Sequence, residues 1–322
     1  MDQGHVKQDR SDERAYVVIG GFGRSGSNLI LKMFDIHEAT HCRNEPNDLS
    51  SGAMGGLSAF FASEMPADFD RRWPVAVDGV ARSVGLRDHL PPPDKVFLRS
   101  GPAARVLSVL QSRRRGRRLL GMGEEWPCPP FLYDRAAMTD ALPVLKMMLM
   151  GAPLVRAQTL MPGQHLVHIL RDPAGFLNSW YNRYVMWHPA GPEHVWTATL
   201  ETLSPILEHF EADPARFDRY DRQRLVEAEL WRWRYLNEVL LGLGGHPRYR
   251  LVLYREAKAQ PVETARALFG FAGLAFEDRH AADIGGIRNR TFAAPHEHRI
   301  PNEEIDAAMR HVLDGSPLAA LV

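Results

Sequence analysis

The chain has 322 residues, 45% of them hydrophobic and 24% charged, and Lys plus Arg equals Asp plus Glu at 39 each. That is the composition of a globular protein, and a net charge of zero excludes the strong basic or acidic field expected of a nucleic-acid or acidic-membrane partner, so any anion site must come from local clustering. Two cysteines, Cys42 and Cys128, exclude a disulfide framework; neither has metal-ligand spacing around it, which favours a reducing compartment.

Residues 1–14 are polar, mixed in charge and without the apolar run of a signal peptide. They read as a disordered tail, followed by a single domain over 15–322 in a cytoplasmic protein. The most apolar stretch, 142–155, contains Lys146 and two prolines and is too short to span a bilayer.

The first element is Tyr16-Val17-Val18-Ile19, a short β-branched run that ends in glycine, as a buried parallel strand does. Leu29, Ile30, Met33, Phe34 and His37 then follow helical spacing. Strand, glycine-rich turn and helix open a doubly wound sheet, so the expected class is α/β: three layers, P-loop-like, with helices flanking a central parallel sheet. Residues 50–140 are less regular. Val75-Ala76-Val77 and Lys95 to Leu98 read as short strands and 104–110 as a helix, within a largely helical insertion that covers a site. His165 to Leu170 is a second buried strand, ending at Arg171-Asp172-Pro173, and proline there suits the first turn of a helix through Phe176, Leu177, Trp180 and Tyr184. A long amphipathic helix spans 222–241, a third strand 250–254, another helix 261–271, and weak helical character returns from Glu303.

The clearest chemical signal lies between the first strand and the first helix, in Gly20-Gly21-Phe22-Gly23-Arg24-Ser25-Gly26-Ser27-Asn28. Glycines allow the backbone to turn tightly and point N–H groups inward, and the helix N-terminus adds its dipole, so a phosphate fits. A nucleotide-triphosphate loop needs Gly-x-x-x-x-Gly-Lys-Ser/Thr. With Gly21 and Gly26 in that register, position 27 is serine rather than lysine, and the cation has moved to Arg24.

Arg24-Ser25-Gly26-Ser27 after a first strand resembles the 5′-phosphosulfate loop of sulfotransferases that use 3′-phosphoadenosine-5′-phosphosulfate (PAPS), in particular the tyrosylprotein type and its bacterial relatives. Glu45, 21 residues beyond Arg24, matches the family's base. Lys146, 25 residues before Arg171, matches the lysine that contacts the reacting sulfate, and Arg171 with Ser179 eight residues later matches the 3′-phosphate signature. Leu253-Tyr254-Arg255-Glu256 resembles the segment that sets an aromatic near the adenine, and Arg288 and Arg290 are the candidates for the last PAPS contacts. Asn28 departs from the family's usual threonine or serine. The resemblance covers roughly 16–46 and 142–275 and leaves 50–140 as the acceptor-binding part.

That resemblance implies a PAPS-dependent transferase with Glu45, Lys146 and Arg24 catalytic. Gly23, Arg24, Ser25, Gly26, Ser27, Asn28, Arg171, Ser179, Tyr254, Arg288 and Arg290 would bind the nucleotide. No metal is required, and the acceptor is a hydroxyl on a small molecule, lipid or sugar rather than nucleic acid. A P-loop kinase using ATP and magnesium, or a non-catalytic module that binds phosphate or sulfate, are the alternatives. The basic run 113–118 reads as a solvated face or as a guide for an anionic acceptor. Taken without the resemblance, Glu45 reads as a surface carboxylate or cap partner, Lys146 as a solvated helix lysine, and Arg171-Asp172 as a pair capping a helix.

Overall fold

A computed structural model describes residues 15–48, 54–82, 95–98, 133–287 and 300–322. Strand β1 (Tyr16–Gly20) leads into helix α1 (Ser27–Ile36), and strand β2 (Thr40–Asn44) follows. Helices α2 (Phe69–Ala81) and α3 (Arg135–Asp140) precede strand β3 (Leu142–Lys146), helix α4 (Gly151–Leu160) and strand β4 (Gln164–Leu170). Helix α5 (Pro173–Trp180) continues into a π-turn over Tyr181–Val185. Helices α6 (Pro192–His209) and α7 (Arg222–Leu241) come before strand β5 (Tyr249–Leu253). Helices α8 (Tyr254–Ala259), α9 (Pro261–Phe271), α10 (Asp278–Gly285) and α11 (Asn302–Val312) complete the set.

The five strands form one parallel sheet in the order β2-β3-β1-β4-β5. Every residue of β1 is buried, because its two faces serve two cores. Tyr16 and Val18 point into a core with Leu145, Leu166 and helices α2, α4, α5, α6, α7 and α11. Val17 and Ile19 point the other way, to Val144, Val167, Ile169 and helices α1 and α9. Period-two alternation in a strand buried on both sides therefore reads as a continuous apolar run, and the fold is a three-layer α/β sandwich. β1 lies at the centre; the chain leaves it toward the β2 edge, and later leaves β4 toward the β5 edge. The C-terminal ends of strands at such a reversal form a crevice. Among the described residues no helix is long and apolar enough to cross a membrane.

Several sequence expectations need correction. Val75-Ala76-Val77 is part of α2, where Phe69, Trp73, Ala76, Val77 and Val80 are buried at helical spacing. Three apolar residues are too few to separate the two periods, and helical spacing over 12 residues decides. Lys95–Leu98 is a turn, with only Leu98 bridged to Tyr133. Tyr254 begins α8 instead of ending β5. Strands β2 and β3 and helix α6 had no reading in the sequence. β2 is an edge strand of sequence Thr-His-Cys-Arg-Asn and lacks an apolar run. The expected helix at 104–110, the basic run 113–118 and Cys128 lie outside the described residues.

His165 and His168 are both on β4. His168 is fully buried between the Tyr249 hydroxyl and Asn237 Oδ1, each at 2.8 Å. Asn237 donates its amide to the Trp233 carbonyl, so its oxygen accepts from His168 Nε2, and Nδ1 accepts from Tyr249. Burial pushes this imidazole down to about 4. The unfolded chain takes up the proton first, so stability is full above the ordinary value and falls as pH drops toward the folded one. Between pH 7.5 and 5 this group should cost the wild type roughly 2 kcal/mol. Urea unfolding of His168→Gln, which keeps a donor and an acceptor but does not titrate, should show an acid loss smaller by about that amount; an identical pH slope in both proteins would contradict the assignment.

Candidate active site

The C-terminal ends of all five strands converge on one cleft. The turn after β1 needs Gly21 at φ 146°, where a side chain would meet the Ile169 carbonyl oxygen at 2.7 Å, and Gly26 at φ 91°, where a side chain would collide with the Tyr254 ring. Gly26 is the N-cap of α1, and that terminus has neither a side-chain cap nor an acidic residue in its first turn. Its N–H groups and dipole are therefore available to an anion. Ser25 supports this: its hydroxyl is fully buried and has no hydrogen-bond partner among the described residues.

Arg24 adopts φ 67°, and its Nε donates to Ser179 Oγ at 3.1 Å. Arg171, just beyond β4, donates from Nη1 to the Arg24 carbonyl at 3.1 Å. Its guanidinium lies 4.9 Å from the centre of the Tyr254 ring. Asp172 is spent mainly on capping α5, accepting from Gly175 N at 2.5 Å, and stands 4.0 Å from Arg171 Nε. Burial first, and then the charge of Arg24, holds the Arg171 guanidinium below its ordinary value, with Tyr254 and Asp172 opposing. It remains a cation at neutral pH, and its Nε is buried without a hydrogen-bond partner among the described residues. A largely buried cation (side chain 17% exposed) with a buried donor is stabilised by an incoming anion. The Tyr254 hydroxyl is pushed up, chiefly by burial.

The third part lies at the ends of β2 and β3. Lys146 is 3% exposed, and its Nζ donates to Asn28 Oδ1 and Asn44 Oδ1 at 2.8 Å and to Glu45 Oε1 at 2.7 Å. Glu45 sits at φ 48°, with its N–H donating to the Lys146 carbonyl at 2.8 Å. This turns the carboxylate back over the strand end, and its side chain keeps 33% exposure toward the cleft.

The cleft has a volume of about 290 Å³. It brings together Gly23, Arg24, Gly26, Ser27, Asn28, Glu45, Lys146, Arg171, Ser179 and Tyr254, with Ser25 buried beneath. Arg288 and Arg290 lie outside the described residues. The cleft also includes Asn44, Met148, Arg183 and Tyr184, which the sequence reading missed. Arg183 stands four residues beyond Ser179 on the same continuing helical path, a spacing that was available as a signal. Asn44 carried none until β2 was known to pair with β3.

The described residues also place His37, Glu38 and His280 at metal-ligand spacing. Their ring nitrogens have other partners: His37 accepts from Ala39 N and bonds the Ala275 carbonyl, while His280 accepts from Glu277 N and bonds Glu38. The group reads as a joint between the end of α1 and helix α10.

No protein-family model matches the chain, and no curated protein does. Solved structures similar to it include sulfotransferases and retinol dehydratase. The sulfotransferase domain of the Synechococcus PCC 7002 olefin synthase is 16% identical, with 95% of this chain and 97% of that one covered and a TM-score of 0.42. A sulfotransferase from Alicyclobacillus acidocaldarius is 12% identical, covering 94% and 96%, at 0.43. Retinol dehydratase in complex with retinol and PAP is 12% identical, covering 95% and 83%, at 0.39.

Gly26→Ala tests the loop. A forbidden φ and the Tyr254 collision should together cost about 1–4 kcal/mol. In thermal melts the variant should also lose the stabilisation that pyrophosphate gives the wild type. A pyrophosphate shift as large in the variant as in the wild type would show that the anion site is elsewhere.

Proposed function

We propose that the protein transfers a sulfuryl group from PAPS to an acceptor hydroxyl. The observation that carries this reading is two linked cationic strand ends in one cleft, with a lysine–carboxylate pair beside them. One end is the loop Gly21 to Asn28 with Arg24; the other is Arg171 with Ser179. A nucleotide with phosphate on both its 3′ and 5′ sides needs two such anion sites at a fixed separation, and Arg24 physically joins them through Ser179 and the Arg171 guanidinium. The loop and the α1 terminus would hold the 5′-phosphosulfate. Arg171, Ser179 and Arg183 would hold the 3′-phosphate, and Tyr254 would flank the nucleoside.

In the transfer, the acceptor oxygen forms a bond to sulfur as the bond from sulfur to the bridging oxygen of the 5′-phosphate breaks. The leaving adenosine 3′,5′-bisphosphate keeps that electron pair. Charge grows on the bridging and non-bridging oxygens, where Arg24 and Lys146 neutralise it, as cationic clamps do in phosphoryl transfer. Glu45, joined to Lys146 and open to the cleft, accepts the proton of the acceptor hydroxyl. No step is routed through a metal. We take 15–322 as one catalytic domain, with the elaboration over roughly 50–140 shaping the acceptor side, and we favour a small molecule, lipid or sugar as acceptor.

Labelled PAPS with a panel of hydroxylated acceptors tests the reaction, with Glu45→Gln as the control. The amide replaces the carboxylate at equal size, so the variant should fold, bind adenosine 3′,5′-bisphosphate normally and lose on the order of 100-fold or more in kcat. Activity within a few fold of wild type would show that another group takes the proton.

A further inference from the structure

Lys146 has three ammonium hydrogens, and all three are committed: one to Glu45 and two to amide oxygens, those of Asn28 and Asn44. The placement of both amides follows from the fold. In the parallel register of β2 and β3, Asn44 lies directly opposite Lys146. Asn28 is the second residue of α1, so it reaches the same ammonium from the phosphate loop. The three partners are not equivalent. Asn28 and Asn44 are neutral acceptors that neither gain nor lose a proton over the working pH range, whereas Glu45 is a charge on a partly exposed side chain. The Lys146 side chain is itself only 4% exposed, and an ammonium so buried stays put only while it keeps acceptors.

We propose that Asn44 and Asn28 are positioning residues, a two-amide seat that holds the Lys146 ammonium while its third hydrogen passes from Glu45 to an oxygen of the bound donor. This rests on the sulfuryl-transfer reading. With the cleft empty, the third hydrogen occupies Glu45 Oε1. When PAPS enters, a sulfonate or bridging oxygen takes that hydrogen, and the carboxylate oxygen becomes free to receive the acceptor's proton. The bonds made and broken in the transfer are those given above; the seat adds no reactant. Base and donor are thereby linked: Glu45 is released where the electrophile is already bound.

Asn44 is the better residue to alter, because Asn28 also lines the phosphate loop. Asn44→Leu keeps the shape and removes the acceptor; Asn44→Asp keeps an acceptor in place. Loss of one hydrogen bond to a charged group should lower kcat with labelled PAPS by roughly 10- to 100-fold in Asn44→Leu. Affinity for adenosine 3′,5′-bisphosphate, which lacks the sulfonate, should change less than about threefold, on the view that the seat acts on the transition state. Asn44→Asp should recover most of the loss. Lys146→Met should itself be slow, and adding Asn44→Leu to it should cost little more, because the seat has nothing left to hold. If leucine prevents folding, Asn44→Ala carries the same comparison. The inference is overturned if Asn44→Leu stays within about twofold of wild type in kcat, or if its effect multiplies undiminished in the Lys146→Met background. A wild-type protein that transfers nothing from PAPS to any acceptor would instead overturn the reading beneath it, and the inference with it.

Discussion

The site is organised around positive charge that the fold buries in part and only partly compensates. Arg24, Lys146 and Arg171 lie at the ends of β1, β3 and β4, beside an uncapped helix terminus that adds its own partial charge. The carboxylates nearest to them are few. Glu45 pairs with Lys146, and Asp172 gives its best contact to the α5 backbone. Among the described residues, Arg171 Nε and the Ser25 hydroxyl are buried without a hydrogen-bond partner. Removing such groups from water without a partner costs free energy that a bound anion would return.

The sheet and its packing keep these groups from relaxing toward each other. Phe22, inside the phosphate loop, packs edge-on against Phe176, and Phe176 stacks with Trp233 of α7. Phe22 also meets Phe60, from the segment that follows Glu45. Beneath both rings lies the Arg232 guanidinium, about 6 Å from each centre (5.9 and 5.7 Å), paired with the buried Glu229. The loop Gly21 to Asn28 is therefore seated on α7 and on the segment around Phe60 at once. Arg24 and Glu45 both hold positive φ, Arg24 tied to Ser179 and Arg171 and Glu45 tied twice to Lys146.

The legibility of the site in the sequence differed from residue to residue, for physical reasons. The loop Gly21 to Asn28 was readable as part of the cleft because glycine, serine and arginine between an apolar strand and an amphipathic helix form a local pattern. Arg171 and Ser179 were readable for the same reason, on a strand–proline–helix junction. β3 was hidden: Leu142 to Lys146 is five residues long and contains a proline, and it becomes a strand only by pairing between β1 and β2. That pairing also buries Lys146, which by sequence alone resembled a solvated lysine. Asn44 was invisible because its role depends on strand register, a long-range property. The three-residue run at 75–77 misled because a β-branched pair outweighed the helical spacing of Phe69, Trp73 and Val80 around it.

The central claim is that the cleft reads two phosphates on one nucleoside, and titration calorimetry without magnesium tests it most directly. Adenosine 3′,5′-bisphosphate should bind at least about tenfold more tightly than AMP, since the second phosphate adds charge-assisted bonds to Arg171 and Ser179. Arg171→Ala should narrow that gap by weakening the bisphosphate while leaving AMP nearly unchanged. If ATP with magnesium binds more tightly than the bisphosphate, or if the wild type does not distinguish the bisphosphate from AMP, the two-phosphate account is wrong.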